Sequence, residues 1–303
     1  MRKSTIHFLF LLTLLSLSLT LFPSAFSQTE NIEILSYSWY TDSLGYLVVV
    51  GEVQNVGSNT IEYVRLIGTV YNTDGEVEAY SSTKALVKYL IPEQRAPFYM
   101  QFTSASSTLD GSWTSVDISY VDLEVYMAEA TASYQYQDLI IQDSSAKVTE
   151  GVYLVSGTIK NVGSQTSGGI EILGTFYNAA GDAIAVGFTD DLNPSSLDPS
   201  ETSSFELSAF DLNQTTVSSD MIISSYSLLI QTEAPILSGT APSISPTPTP
   251  SSSSATQSPG STTSGSNETG YLPPESIYVI LLVLCVLGAA VAVWALRKHK
   301  SRV

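Results

Sequence analysis

Residues 28–276 contain no histidine and no cysteine: the two histidines are His7 and His299, and the single cysteine is Cys285. Their absence removes imidazole acid–base catalysis, thiol nucleophiles and the usual zinc ligands from this stretch, and no disulfide can staple it. Positive charge is nearly as scarce. All 29 acidic residues fall between Glu30 and Glu275, against six basic ones: Arg65, Lys84, Lys88, Arg95, Lys147 and Lys160. Such an acidic surface repels nucleic acid and anionic lipid. Amphipathic helical periodicity is missing from residues 28–235, as are the G-x-S-x-G elbow and the glycine loops that cradle phosphates.

The two ends are apolar. Arg2 and Lys3 precede a run from Ile6 to Phe22, Pro23 breaks it, and Ala25 and Ser27 supply small residues at a cleavage site. This reads as a secretory signal peptide over residues 1–27. Ile277–Leu296 carries no charge, and a helix of that length matches a ~30 Å hydrocarbon core. Arg297, Lys298, Lys300 and Arg302 follow, which the positive-inside bias places in the cytoplasm. The expected topology is a single-pass plasma-membrane protein with its N-terminal part extracellular, a transmembrane helix over 276–296 and a basic tail over 297–303. Gly288 and Ala292, four apart in the span, are a weak signal for helix pairing.

Between these ends the chain repeats itself. GEVQNVGS at Gly51–Ser58 returns as GTIKNVGS at Gly157–Ser164, an offset of 106, and GTVYNTDG at Gly68–Gly75 returns as GTFYNAAG at Gly174–Gly181. Ser119, Tyr120 and Leu123 map to Ser225, Tyr226 and Leu229 at the same offset, whereas Pro92 and Phe98 map with a one-residue slip to Pro199 and Phe205. A period this long denotes two domains, over residues 28–129 and 130–233, rather than solenoid units. Each copy alternates with period two. Leu47, Val49, Gly51 and Val53 share one face, as do Tyr153, Val155, Gly157 and Ile159; Ser156, Thr158 and Lys160 share the other. Val64, Leu66, Gly68 and Val70 match Ile170, Ile172, Gly174 and Phe176. The pattern predicts half-buried strands in an all-β chain of two tandem sandwiches. Asn55 and Asn161 are expected to bond their own backbone at the turn, Gly57 and Gly163 to take positive φ, and Gly51 and Gly157 to mark close backbone approach.

The pattern G-x-V/I-x-N-V-G-S, then G-T-V/F-Y-N, then a turn ending in Gly, resembles the FxLYD-type immunoglobulin-like domains of secreted and membrane-anchored prokaryotic proteins, archaeal ones included. The likeness covers roughly 30–40 residues of each copy, and Tyr71-Asn72 and Tyr177-Asn178 stand where that family has Tyr-Asp. It implies an immunoglobulin-like sandwich in an extracytoplasmic setting and transfers no catalytic or binding residue.

From about Ala234 the alternation stops. Residues 234–275 are rich in Ser, Thr and Pro, a composition that predicts a disordered, mucin-like stalk. Asn213-Gln214-Thr215 and Asn267-Glu268-Thr269 match the N-glycosylation acceptor.

Carboxylates are the remaining source of chemistry. Asp74, Glu76 and Glu78 form one cluster, and Asp190, Asp191 and Asp198 another; neither recurs in the other copy. Solvated surface is the expected role of both, with a Ca²⁺ site or paired-acid catalysis as rivals. Trp39, Tyr40 and Trp113 are expected in core or sheet-edge packing, with sugar stacking as the rival. The sequence therefore predicts a non-enzymatic cell-surface protein with no cofactor or metal, presenting two modules to an extracellular protein or glycan for binding, adhesion or envelope structure. The alternatives are a carboxylate- or calcium-dependent enzyme on envelope polysaccharide, and an accessory subunit of a membrane complex.

Overall fold

The computed structural model describes residues 31–242; the expected signal peptide, most of the stalk, the membrane span and the tail lie outside them. The first repeat contributes β1 (Ile32–Thr41), β2 (Leu47–Asn55), β3 (Thr60–Asn72), β4 (Val77–Lys84), β5 (Tyr89–Leu90), β6 (Arg95–Phe102) and β7 (Ile118–Thr131). The second contributes β8 (Ser133–Gln135), β9 (Leu139–Thr149), β10 (Val152–Asn161), β11 (Ser167–Tyr177), β12 (Ala183–Thr189), β13 (Ser196–Leu197), β14 (Thr202–Ser208), β15 (Ser225–Ala234) and β16 (Ile236–Ser238). The described chain is all-β, and its one helical turn is the 3-10 segment Ser219–Met221.

Each repeat folds as two sheets with a core between them. In the first, β1-β2-β6 faces β4-β3-β7, with β5 on the end of β3. Leu47, Val49 and Val53 of β2 and Phe98, Met100 and Phe102 of β6 meet Leu66 and Val70 of β3 and Val121 of β7. In the second, β9-β10-β14 faces β12-β11-β15, with β13 on β11, and Val155, Ile159 and Phe205 meet Ile170, Ile172, Phe176 and Tyr226. The inner positions are those that the period-two pattern selects, because a strand sends alternate side chains to opposite faces.

The turn after β2 and β10 explains why the chain repeats NVGS. Asn55 Nδ2 donates to the carbonyls of Asn59 and Leu90, each at 2.8 Å, while its Oδ1 accepts from Gly57 N–H. Asn161 does the same with Gln165, Leu197 and Gly163. Each fully buried amide thus ties a strand end, a turn and a short pairing segment. The glycines are needed for a different reason from the one expected. Gly57 and Gly163 do not adopt positive φ; a Cβ at Gly57 would collide with Asn31, and one at Gly163 with Asp138 and the Tyr136 hydroxyl. The expected close approach at Gly51 and Gly157 is present: the Phe98 and Phe205 rings occupy the space of their missing side chains.

Strand register also fixes how the copies correspond. Gly51 lies opposite Phe98 and Gly157 opposite Phe205, so the slip inferred at Pro92/Pro199 is real. The mapping of Tyr120 onto Tyr226 is not. Tyr120 pairs with Tyr71, whereas the partner of Tyr177 is Ser225. Tyr120 is therefore the counterpart of Ser225, and the last strand is displaced by one residue. Such a slip exchanges the faces of a strand: Tyr120 points out while Tyr226 is buried. A second difference concerns residues 236–238, grouped with the stalk by composition. They pair with β8 as β16, and Leu237 packs against the second core.

The largest departure from half-buried strands is β2. Val48 and Val50, on its outer face, are completely buried with Val186 of β12, flanked by Tyr40, Leu86, Tyr99 and Phe210. The outer face of β1-β2-β6 thus packs on the outer face of β12-β11-β15, joining the repeats in one compact unit. The layer order is β4-β3-β7, β1-β2-β6, β12-β11-β15, β9-β10-β14.

Candidate functional site

The junction between the repeats is polar at one end and contains a cleft of about 660 Å³ lined by Glu52, Gln54, Arg95, Leu173, Tyr177 and Ser227, among others. Glu52 is 3% exposed. Its Oε1 accepts from Tyr177 Oη at 2.7 Å and Thr175 Oγ1 at 3.3 Å, and its Oε2 lies 3.7 Å from Arg95 Nη1. Burial pushes the Glu52 carboxyl above the usual range, against the opposing pull of Tyr177, Arg95 and Thr175. Burial and the Glu52 charge push the Tyr177 phenol upward. Glu93 also lines the cleft, but both Glu52 oxygens are already engaged within the chain. The residue cross-links the repeats. Further bonds run beside it: Lys88 N–H donates to Gln231 Oε1, Gln231 Nε2 to the Leu86 carbonyl, and Ala183 N–H to Ser36 Oγ.

The outer face of β4-β3-β7 is open. Cross-strand pairing sets Tyr71 beside Tyr120, Thr69 beside Asp122 and Tyr80, and Ile67 beside Glu124 and Ser82. The Tyr71 and Tyr120 rings stack with centroids 4.6 Å apart at 13°. Tyr80 is 71% exposed, and Tyr120 and Tyr126 are exposed as well. Burial in the stack, then Tyr120, Asp122, Tyr80 and Glu124, push the Tyr71 phenol up. The result is a flat tyrosine platform rimmed by carboxylates. It corresponds, copy for copy, to the face of β12-β11-β15 that is covered: Thr69 matches Thr175, Tyr71 matches Tyr177, Tyr80 matches Val186, and Asp122 and Glu124 stand where Ser227 and Leu229 are.

The candidates singled out from sequence are distributed elsewhere. Asp74 and Glu76 are exposed, and their N–H groups donate to Asn72 Oδ1 in a turn. Glu78 is buried and holds the loop after β6, accepting from Asn72 Nδ2, Ser106 Oγ and Ser107 N–H. Asp190, Asp191 and Asp198 are exposed, with Asp198 accepting from Thr166 Oγ1. Among the described residues, no group of three or more acidic, His or Cys side chains is placed to hold a metal ion. Trp113 is a core residue, edge-on to Phe102, Tyr40 belongs to the junction between repeats, and Trp39 is exposed. Asn213 is exposed, and its Oδ1 accepts from Thr215 N–H and Thr215 Oγ1. Asn267 lies outside the described residues. The offset-106 mapping of Tyr120 onto Tyr226 conceals the tyrosine face, whereas the alternation of β7 on its own, with Val121, Leu123 and Val125 apolar, exposes it.

No protein-family model and no curated protein sequence matches the chain. Solved structures that it is similar to include β-glucuronidase 2 of Bacteroides uniformis, at 12% identity and TM-score 0.21 over 67% of this chain. A β-glucuronidase from glycoside hydrolase family 2 is another, at 12% identity and TM-score 0.17 over 63% of this chain. The chain spans only 30% and 23% of those two proteins. Similarity this low carries no argument about the activity of this chain.

Proposed function

We propose that this is a single-pass cell-surface protein whose two immunoglobulin-like sandwiches of FxLYD type form one rigid binding body on a Ser/Thr/Pro stalk. The observation that carries the binding reading is the open face of Tyr71, Tyr80, Tyr120 and Tyr126 beside Asp122 and Glu124. Aromatic rings expose wide apolar area at low entropic cost, and hydroxyl and carboxylate groups add orientation. Chemistry finds less support, because Glu52 is buried and tied to Tyr177, Thr175 and Arg95, and the two acid clusters lie in or beside turns and loops. The surface assignment is supported by the apolar ends and the basic residues after the second of them.

The test uses the full chain in its own membrane. On intact cells a membrane-impermeant amine reagent should label exported lysines such as Lys84, and an epitope after Val303 should resist protease until the cells are permeabilised. A detergent-solubilised Tyr80→Ser/Tyr120→Ser variant should keep the strand spectrum yet lose the retention on washed, detergent-extracted envelope material that the unaltered solubilised chain shows. Digestion of the epitope on intact cells would defeat the topology, and unchanged retention of the variant would defeat the binding face.

A further inference from the structure

We infer that the partner of the tyrosine face is the outer face of β9-β10-β14 on a second copy of this chain, so that molecules stack head to tail. The inference rests on the binding reading above and names the partner for the same face. Within one chain, the outer face of β1-β2-β6 already mates with that of β12-β11-β15. By the repeat, β9-β10-β14 is the counterpart of the first of these sheets and β4-β3-β7 of the second. Each chain therefore uses one example of either mating surface internally and leaves the other example on an outer layer.

The exposed examples are altered in complementary ways. In the internal junction Glu52 meets Thr175 and Tyr177, and Gln54 lines the cleft with Ser227 and Leu229. The counterparts of Glu52 and Gln54 are Thr158 and Lys160. Those of Thr175, Tyr177, Ser227 and Leu229 are Thr69, Tyr71, Asp122 and Glu124. Applying the internal geometry to two chains sets Thr158 against the Tyr71 hydroxyl and Lys160 against Asp122 and Glu124. Glu206 replaces Tyr99 and faces the end of β4 that carries Ser82 and Lys84, while keeping Lys147 at 3.9 Å. The apolar seam of the internal junction gives way in part to hydroxyl and charged groups, with Ser156 for Val50 and Tyr80 for Val186 while Leu154 keeps the apolar place of Val48, as befits a reversible contact rather than a fused one. The same surface is never presented to itself, so the interface is heterologous and propagates unless the rotation per step closes a ring.

The experiment is thiol cross-linking of the full chain in its membrane, on a Cys285→Ser background. A single chain cannot form an Asp122→Cys/Lys160→Cys disulfide, because those residues lie on the two outer layers of a four-sheet stack with ~10 Å between sheets. Oxidation of the double variant should give a ladder of dimers, trimers and higher species on a non-reducing gel. Mixed single variants should stop at the dimer, and either single variant alone should remain monomeric. Lys160→Glu should raise the concentration for half-assembly of the detergent-solubilised chain about tenfold, equivalent to about 1.4 kcal/mol, and Asp122→Lys in the same chain should restore it.

A double variant with no ladder, although both thiols react with an impermeant maleimide on intact cells, overturns self-stacking and leaves the surface reading standing. A dimer formed by Asp122→Cys alone also overturns it, in favour of a symmetric contact. Thiols that react only after permeabilisation overturn the surface reading instead, and the ladder is scored in permeabilised cells in that case.

Discussion

Glu52 in the first repeat accepts a 2.7 Å hydrogen bond from the hydroxyl of Tyr177 in the second, 125 residues away. Removing either partner deletes this bond and leaves Tyr177 with Ser227 alone, or Glu52 with Thr175 and Arg95. Glu52→Ala should cost about 2 kcal/mol in urea unfolding, and Tyr177→Phe about 1 kcal/mol. The double variant should cost less than the sum by about 1 kcal/mol, as expected for residues in direct contact. Additive losses would mean that the two side chains do not stabilise each other.

Two buried acids should respond to pH in opposite senses. Glu52 is raised chiefly by burial, so the folded chain keeps its proton to higher pH than the unfolded chain, and stability from this group is lost as pH rises through the folded value. For Glu78, burial is outweighed by hydrogen bonds from Ser107, Asn72 and Ser106, which hold the carboxyl below the usual range. Its contribution is present above the unfolded value and is lost as pH falls through the folded one. Glu52→Gln should therefore raise the melting temperature most at neutral pH, with the gain shrinking to nothing near the unfolded carboxylate value of about 4.3. Glu78→Gln should lower it at neutral pH, with the loss closing in acid. Parallel pH profiles for the two variants would contradict this assignment.

The paired asparagines make a prediction that compares the two copies. Asn55→Ala and Asn161→Ala each leave two carbonyls and one N–H of a turn without their side-chain partner. Each should cost about 3 kcal/mol, and Asp, which cannot donate from both positions, should rescue neither. Calorimetry should show the larger loss for Asn161→Ala, because Asn161 Oδ1 also accepts from the buried Tyr136 hydroxyl.

Asn213 is held in an Asx-type turn by Thr215 while remaining exposed. The intact chain should carry a glycan at this position, seen as excess mass on the peptide that contains it. Thr215→Val should remove that mass, and Thr215→Ser should keep it. A peptide of bare polypeptide mass would show that the sequon is unused.

Alternation made the strands and both inner cores legible, because inner positions such as Val49, Val155 and Phe176 follow directly from period two. The NVGS turns were legible through asparagine's hydrogen-bonding capacity, although steric contact rather than dihedral freedom explains their glycines. What was hidden is tertiary. Val50 is apolar where the second copy has Ser156, a difference that marks a sheet covered on both sides, but it does not say by what. The one-residue displacement of the last strand is masked by similar sequence around Tyr120 and Tyr226: the alternation of Val121, Leu123 and Val125 turns Tyr120 outward, and the cross-strand partners fix the displacement. The candidate site depended on that reversal.

β2 lies in the middle of two different apolar seams, and this limits how the tandem can be taken apart. A fragment cut after residue 131 would bare Val48, Val50 and Tyr99 to water, whereas its sister fragment would bare Leu173 and Val186. Duplication here has bound the halves together: excising, shuffling or fusing either one elsewhere opens that seam to water, and evolution can revise the outermost planes far more freely than the central ones.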